Sequence, residues 1–109
     1  MTDSVYLQLY KIVKRNKERY DKNSHEYLAI DLYCNCSLKR YKDWESGCTD
    51  VAMDIAREAL HNFMAVIDVL ACLNIINHED YIEMKDIAFG EDERLLERLL
   101  AYRREVYAL

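Results

Sequence analysis

The sequence predicts an all-α protein, a compact bundle of about five helices around a buried central helix at about residues 50–73. Two glycines and no proline in 109 residues leave few places for tight turns, while residues that favour helices are abundant. The stretch from Thr49 to Ile76 contains neither Gly nor Pro, and its second half is apolar on nearly every side. Because 51% of the residues are hydrophobic, we expect one domain over residues 1–109.

The first two predicted helices cover about residues 4–20 and 24–45. The first is amphipathic, with a basic outer face. Asn23, followed three positions later by Glu26, resembles a capping box at the start of the second helix. Gly47 offers a C-terminal stop for that helix.

A β-strand is the alternative for part of the second helix. Apolar and polar residues alternate over residues 27–36, for example at Ile30, Leu32 and Cys34, as they do in a half-buried strand. We favour the helix because no turn signal lies between residues 23 and 47, so a strand could not reach a partner strand.

The remaining helices follow from apolar periodicity and from capping residues. The inward face of the central helix is expected to consist of Ala52, Ala56, Ala59, Leu60, Phe63, Val66, Ile67, Leu70 and Leu73. A fourth helix opens at Asn77 and is expected to end at Gly90. Asp92 is expected to cap a fifth helix, from Glu93 to about Ala108.

The four cysteines are expected to be reduced thiols, not a disulfide framework, because the chain has enough apolar residues for a core. Cys34 and Cys36 lie two positions apart, which places them on different sides of a helix and disfavours a shared metal ion. We therefore predict no metal and no cofactor. The longest apolar run, Phe63 to Leu73, is too short to span a membrane, and the N-terminal residues lack a secretory pattern, so we expect a cytoplasmic protein.

Several residue pairs on the helices resemble parts of known catalytic sites. Glu58 and His61 form one ExxH pair, of which di-iron bundles need two. Arg57 and His61 resemble the catalytic pair of HEPN ribonucleases, which are small all-α enzymes that cleave RNA, although three residues separate the pair here and four to six in that family. The ExxH pair lacks its second half and the HEPN-like pair departs in spacing, so we expect the chain not to be an enzyme.

Two acidic pairs resemble half of the magnesium-binding signature of MazG-type NTP pyrophosphohydrolases. They are Glu18 with Asp21 and Glu83 with Asp86. Carboxylates three positions apart on a helix can share a hard cation. In that family the two pairs lie close together in sequence, whereas here more than sixty residues separate them, so the sequence favours solvated acidic faces.

The charge divides the chain into a basic and an acidic half. Residues 1–42 carry a net charge of +4 and residues 43–109 carry −9, for a total of −5. Basic residues interleaved with tyrosine could contact an anion or a nucleic acid. The candidate contacts are Tyr10, Lys11, Lys14, Arg15, Lys39 and Arg40. In this alternative, the chain is a homo-oligomer that binds a nucleotide or a nucleic acid.

The acidic half predicts a protein-binding surface instead. Tyrosine is a common anchor at interfaces, and acidic side chains steer a basic partner. We expect the surface to lie around a turn at Gly90 and to consist of Asp80, Tyr81, Glu83, Asp86, Glu91, Asp92 and Glu93. In size and acidity the chain is similar to anti-CRISPR inhibitors and related host-defence inhibitors of phages and mobile elements. That resemblance implies occupancy of a basic, nucleic-acid-binding protein.

Overall fold

The computed structural model describes residues 4–107, and every regular element in that range is a helix. The elements are α1 (Val5–Lys17), α2 (His25–Ala29, a π-helical turn Ile30–Cys34, and Asn35–Glu45), α3 (Met53–Cys72) and α4 (His78–Tyr107). The all-α prediction is confirmed. The described part of the chain contains four long helices, however, where the sequence predicted five.

The four helices enclose one core to which each of them contributes. Close contacts connect α1 with α2, α2 with α3, α3 with α4, and α4 with α1. The largest fully buried side chains are Leu9, Val13, Asn16, Ile30, Cys34, Leu38, Tyr41, Leu60, Phe63, Ile67, Met84 and Leu95. By these close contacts each helix has two neighbours, and side chains such as Tyr41 and Glu91 also connect α2 with α4. The single central helix that the sequence predicted is not confirmed.

Helix α3 covers the core with one side only. Most of the predicted inward face is buried, including Leu60, Phe63 and Ile67. Leu73 is largely exposed, and Val69 is exposed on the side away from the core. Ala52 precedes the first turn as the N-cap residue. The near-continuous apolar run therefore exceeds what its two neighbouring helices can cover.

Residues 27–36 are helical, so the strand alternative is wrong. Ile30 and Cys34 are buried one turn apart, whereas Leu32 between them is exposed. The alternation in the sequence therefore did not correspond to one buried face. The helix starts after Ser24, whose Oγ accepts a hydrogen bond from the Tyr27 amide at 3.1 Å, and not after the capping box expected at Asn23.

Helix ends are otherwise close to the positions that the sequence predicted. Ser4 caps α1 through a 3.1 Å hydrogen bond from the Leu7 amide, and the side chain of Asn77 accepts one from the Glu79 amide at 2.8 Å. Gly47 follows α2 with a φ of +96°, which is the left-handed conformation that favours glycine.

Gly90 does not end a helix. It lies inside α4, which is 30 residues long and continues to Tyr107. The φ of Gly90, unlike that of Gly47, does not lie in the left-handed region. The next two residues, Glu91 and Asp92, are buried in ion pairs, and these hold the helix in register with its neighbours. Asp92 accordingly is not a capping residue.

All four cysteines are free thiols, as expected from the sequence. Cys34 is buried, and this burial, together with nearby Asp31, raises the pKa of its thiol to about 12. Cys36, Cys48 and Cys72 are exposed. None of the helices within residues 4–107 combines the length and the hydrophobicity that a membrane span requires.

We predict that Gly90→Ala stabilises the protein and that Gly47→Ala destabilises it. A Cβ at either position meets no atom within 4 Å, so backbone conformation decides the sign. Alanine in a helix interior is favoured over glycine by about 0.5–1 kcal/mol. Alanine at the φ of Gly47 costs about 1 kcal/mol. Urea unfolding followed by circular dichroism measures both, and destabilisation by Gly90→Ala would contradict a continuous α4.

Candidate functional site

A polar link between α3 and α4 is centred on Asp92. Its carboxylate accepts a hydrogen bond from Arg57 Nε at 2.8 Å and lies 2.9 Å from His61 Nε2. Only 10% of the Asp92 side chain is exposed. Burial alone would raise its pKa, but the hydrogen bonds from Arg57 and His61 hold the pKa below its ordinary value. Asp92 is therefore an anion that α3 neutralises.

This arrangement places a carboxylate where a HEPN-like site would need a phosphate. Arg57 and His61 both point at Asp92, so the two groups that would bind RNA already share an anion of this chain. Glu58, the other half of the ExxH pair, lines a separate groove between α2 and α3 with Arg40. The three residues serve two different contacts and do not converge.

A second buried carboxylate, Glu91, connects α4 with α2. Its carboxylate accepts a hydrogen bond from the Tyr41 hydroxyl. It also accepts two from Arg94, one from Nε at 2.6 Å and one from Nη2 at 2.9 Å. The Tyr41 hydroxyl also lies 2.9 Å from Glu45, which in turn accepts the Val5 amide at 3.1 Å. Because Tyr41 is buried beside two carboxyl groups, its phenol pKa is raised. The network joins α1, α2 and α4 at one end of the bundle.

Asp80 and Glu83 pair with the basic half of the chain. Arg15 binds Asp80 at 2.5 Å and Glu83 at 3.5 Å. The side-chain Nδ2 of Asn16 donates to Asp80 at 2.8 Å, and its side-chain Oδ1 accepts a hydrogen bond from the Asn77 backbone amide at 2.9 Å. Burial would raise the pKa of Asp80, but the Arg15 and Asn16 hydrogen bonds keep it lowered. These residues of the two predicted surfaces thus hold α1 against the start of α4.

The other predicted acidic residues divide into engaged and free side chains. The Tyr81 hydroxyl and the Lys85 ammonium both bind Asp68 of α3. Asp86 and Glu93 are exposed, and among residues 4–107 neither forms an ion pair. Of the seven predicted contacts, these two are available to a partner without breaking an internal bond.

The basic candidates do not form one continuous patch. Lys14 lies 3.9 Å from Glu18, and Lys39 lies 3.8 Å from Asp43, whereas Arg40 faces the groove between α2 and α3. Lys11 is exposed on α1. Tyr10 stacks on Tyr6 with ring centroids 5.8 Å apart. That tyrosine pair lines a groove of about 540 Å³ between α1 and α2.

In the part of the chain that the structure describes, His, Cys, Asp and Glu form no group of three that could hold a metal ion together. The two ExxD pairs are engaged separately. Glu18 is paired with Lys14, and Glu83 with Arg15. Asp21 accepts a hydrogen bond from the Asn23 amide in the loop after α1.

An apolar row that was not predicted from the sequence runs along the outside of α4. Ile82, Phe89, Leu96 and Leu100 are 46%, 53%, 37% and 41% exposed. Their spacing of seven, seven and four positions places them on one side of a helix. Asp86, Glu93 and Glu97, all exposed, follow alongside. We call these seven residues the outer face of α4. The seven-residue spacing was visible in the sequence, but it was hidden by the helix break expected at Gly90.

Comparison with protein-family profiles, curated proteins and solved structures finds no match to this chain.

We predict that Asp92→Asn destabilises the fold by about 2–3 kcal/mol at pH 7, because it leaves the half-buried Arg57 without its counter-charge. The folded-state pKa of Asp92 is lowered, so its contribution is present above the unfolded value of about 3.9 and is lost as pH falls further. Urea unfolding at pH 7 and pH 3, followed by Trp44 fluorescence, should show the difference shrinking at pH 3.

Asp86→Asn is the matched control for this prediction. It makes the same chemical change on the same helix, at an exposed position without an ion pair in the described chain, and should alter stability by less than about 0.5 kcal/mol. Equal effects of the two substitutions would refute a structural role for the Asp92 ion pairs.

Proposed function

We propose that this chain is a non-catalytic protein-binding module and that the outer face of α4 is its docking surface. The observation that carries the proposal is the line of exposed apolar side chains, Ile82, Phe89, Leu96 and Leu100. Scattered exposed apolar residues are ordinary. A row of four on one side of a helix, however, gives a partner several apolar side chains to cover at once.

The charge beside this row specifies the chemistry of the partner. Asp86, Glu93 and Glu97 are exposed and have no ion-pair partner within residues 4–107. The buried carboxylates of Glu91 and Asp92, in contrast, are neutralised internally. A partner that offers an apolar ridge flanked by Lys or Arg would cover the row and also meet the three free carboxylates.

Nucleic-acid-handling proteins are the partner class that this chemistry favours. Their binding channels are lined with basic side chains that contact phosphates. An acidic helix seated in such a channel excludes the nucleic acid by occupancy, as expected for an inhibitor of the anti-CRISPR type. The four free cysteines, three of them exposed, support a reducing compartment, and we propose the cytoplasm.

A nucleotide-binding role is the second candidate. It rests on the groove between α1 and α2, where Tyr6 and Tyr10 stack and the Lys42 ammonium lies 5.2 Å from the centre of the Tyr6 ring. Aromatic rings beside a cation can hold a base and its phosphate. The carboxylate of Glu45 also lines this groove, which disfavours an anion, so we rank this function second.

We predict that the chain binds a labelled helical peptide with a leucine row flanked by lysines. Ile82→Asp combined with Phe89→Asp should weaken binding at least tenfold, because charges replace the centre of the apolar row. Leu32→Asp is the control, since Leu32 is equally exposed but lies on α2. Fluorescence anisotropy measures the affinity. Equal losses for both variants would overturn the assignment of this face.

Charge reversal tests the electrostatic part of the proposal. Replacing Asp86, Glu93 and Glu97 with Lys should weaken peptide binding, and added salt should no longer weaken the binding that remains, because repulsion has replaced the attraction between opposite charges. The control reverses three exposed acids elsewhere, Glu18, Asp50 and Glu58, and changes the net charge equally. If the control loses as much affinity, binding depends on net charge alone.

Competition tests the occupancy mechanism directly. A labelled single-stranded DNA bound to the same lysine-rich peptide should be released as the chain is added, with a fall in DNA anisotropy. The Asp86, Glu93 and Glu97 triple-Lys variant should release little. A stable complex of DNA, peptide and chain would contradict mutual exclusion.

A further inference from the structure

The last turns of α4 extend beyond the other helices. Leu95 is the final buried residue of α4, and every residue from 101 to 107 is exposed. The molecule is correspondingly elongated, with extents of 57 × 28 × 24 Å. A 30-residue helix is about 45 Å long, whereas the 20 residues of α3 span about 30 Å. We call residues 96–107 the overhang.

The overhang continues the apolar seam of the core into solvent. Leu95, Leu99, Tyr102 and Val106 follow the alternating four- and three-residue spacing of a coiled-coil seam. Leu95 is fully buried in the bundle, but Tyr102 is 66% and Val106 44% exposed. A groove of about 660 Å³ lies along this side. Asp54 and Arg57, from the first turns of α3, are the lining residues that α4 does not supply.

We propose that the overhang pairs with the overhang of a second copy of this chain, in antiparallel orientation. A two-fold axis between Leu100 and Ala101 would set Leu99 against Tyr102 of the second copy, twice by symmetry. Val106 of the second copy would then lie at the edge of the bundle, where the seam enters the core at the buried Leu95. The seam lies about 100° around the helix from the outer face of α4, as Leu99 and Leu100 differ by one position.

The charges beside the seam favour this orientation. In the seam's heptad, Arg98 and Glu105 occupy the g positions and Arg103 an e position. Arg98 is exposed, and its guanidinium lies 5.8 Å from the centre of the Trp44 ring of α2. Antiparallel helices bring g residues together, so Arg98 would meet Glu105 of the second copy, twice by symmetry. Parallel helices would bring Arg98 against Arg103 of the second copy, also twice. Flanking charges of this kind determine helix orientation, and here they select the antiparallel pair.

The N-terminal end of α3, which lines the groove, adds a further contact between opposite charges. In the antiparallel register, the tip of the second overhang runs back beside Leu95 and Leu96. Its Arg103 then approaches the groove edge that carries Asp54, whose side chain is exposed. About twelve residues per copy give an interface near or below the lower end of the ~1,200–2,000 Å² of stable complexes, so we expect a weak dimer that dissociates on dilution.

The proposal does not rest on the function proposed above, because its seam residues are not those of the outer face, although Leu96 and Leu100 line the groove as well. The part of the outer face around Ile82 and Phe89 would stay accessible in both copies. Sedimentation velocity from about 1 to 500 µM should show a monomer–dimer equilibrium. The double substitution Tyr102→Glu and Val106→Glu should raise the dissociation constant of the dimer at least tenfold, since it places charges in the seam. Ala101→Glu, which adds a charge on the side of the overhang away from the seam, is the control.

A charge swap distinguishes the orientation. Arg98→Glu and Glu105→Arg should each weaken self-association, while an equimolar mixture of the two variants should form a heterodimer that is tighter than either homodimer. In a parallel dimer Arg98→Glu would strengthen association and overturn the antiparallel register. Circular dichroism verifies that each variant remains folded, as expected for substitutions outside the core.

If the wild-type chain is a monomer at all concentrations, the proposal is overturned, and any partner of the seam would have to be a different protein. A dimer that is unaffected by the double-Glu variant also overturns it, because the contact would then lie elsewhere on the chain.

Discussion

Two adjacent buried carboxylates, Glu91 and Asp92, hold the middle of α4 against its neighbours. Asp92 is bound by Arg57 and His61 of α3, and Glu91 by Tyr41 of α2 and by Arg94. Neither anion could be buried without these partners, because the cost of removing an unpaired charge from water is several kcal/mol. The position of α4 is therefore fixed at its centre, in the segment where the sequence suggested a break.

The outer face of α4 and the overhang both result from two properties of this helix: its centre is fixed, and it is longer than the other helices. The half before Glu91 packs on α1 through Asp80 and Arg15, which leaves Ile82, Phe89 and their neighbours outward. The half after Leu95 passes the start of α3 and contacts α2 through Arg98, which lies over the Trp44 ring, whereas residues 101–107 are all exposed. The apolar seam residues of this half therefore keep the spacing of the core residues, but the bundle does not bury them.

The helical class, the start of α1 and the stop at Gly47 could be predicted because they depend on residues adjacent in sequence. The continuity of α4 could not. A glycine is tolerated inside a helix when tertiary contacts offset its cost, and the contacts beside Gly90 come from α2 and α3. Likewise, no local pattern distinguishes buried Asp92 from exposed Glu93, since the difference lies in Arg57, 35 positions away.

The distribution of ion pairs explains why a chain of net charge −5 is acidic on only part of its surface. Asp80, Glu91 and Asp92 are neutralised by cations within the fold, so they stabilise the bundle and are not available to a partner. Asp86, Glu93 and Glu97 lack such cations in residues 4–107 and lie along one line. Free anions and exposed apolar groups therefore coincide on α4, and a basic, apolar partner surface could satisfy both at once. If the overhangs pair, two such faces act together, and their joint binding is stronger than that of either face alone wherever the partner offers two sites.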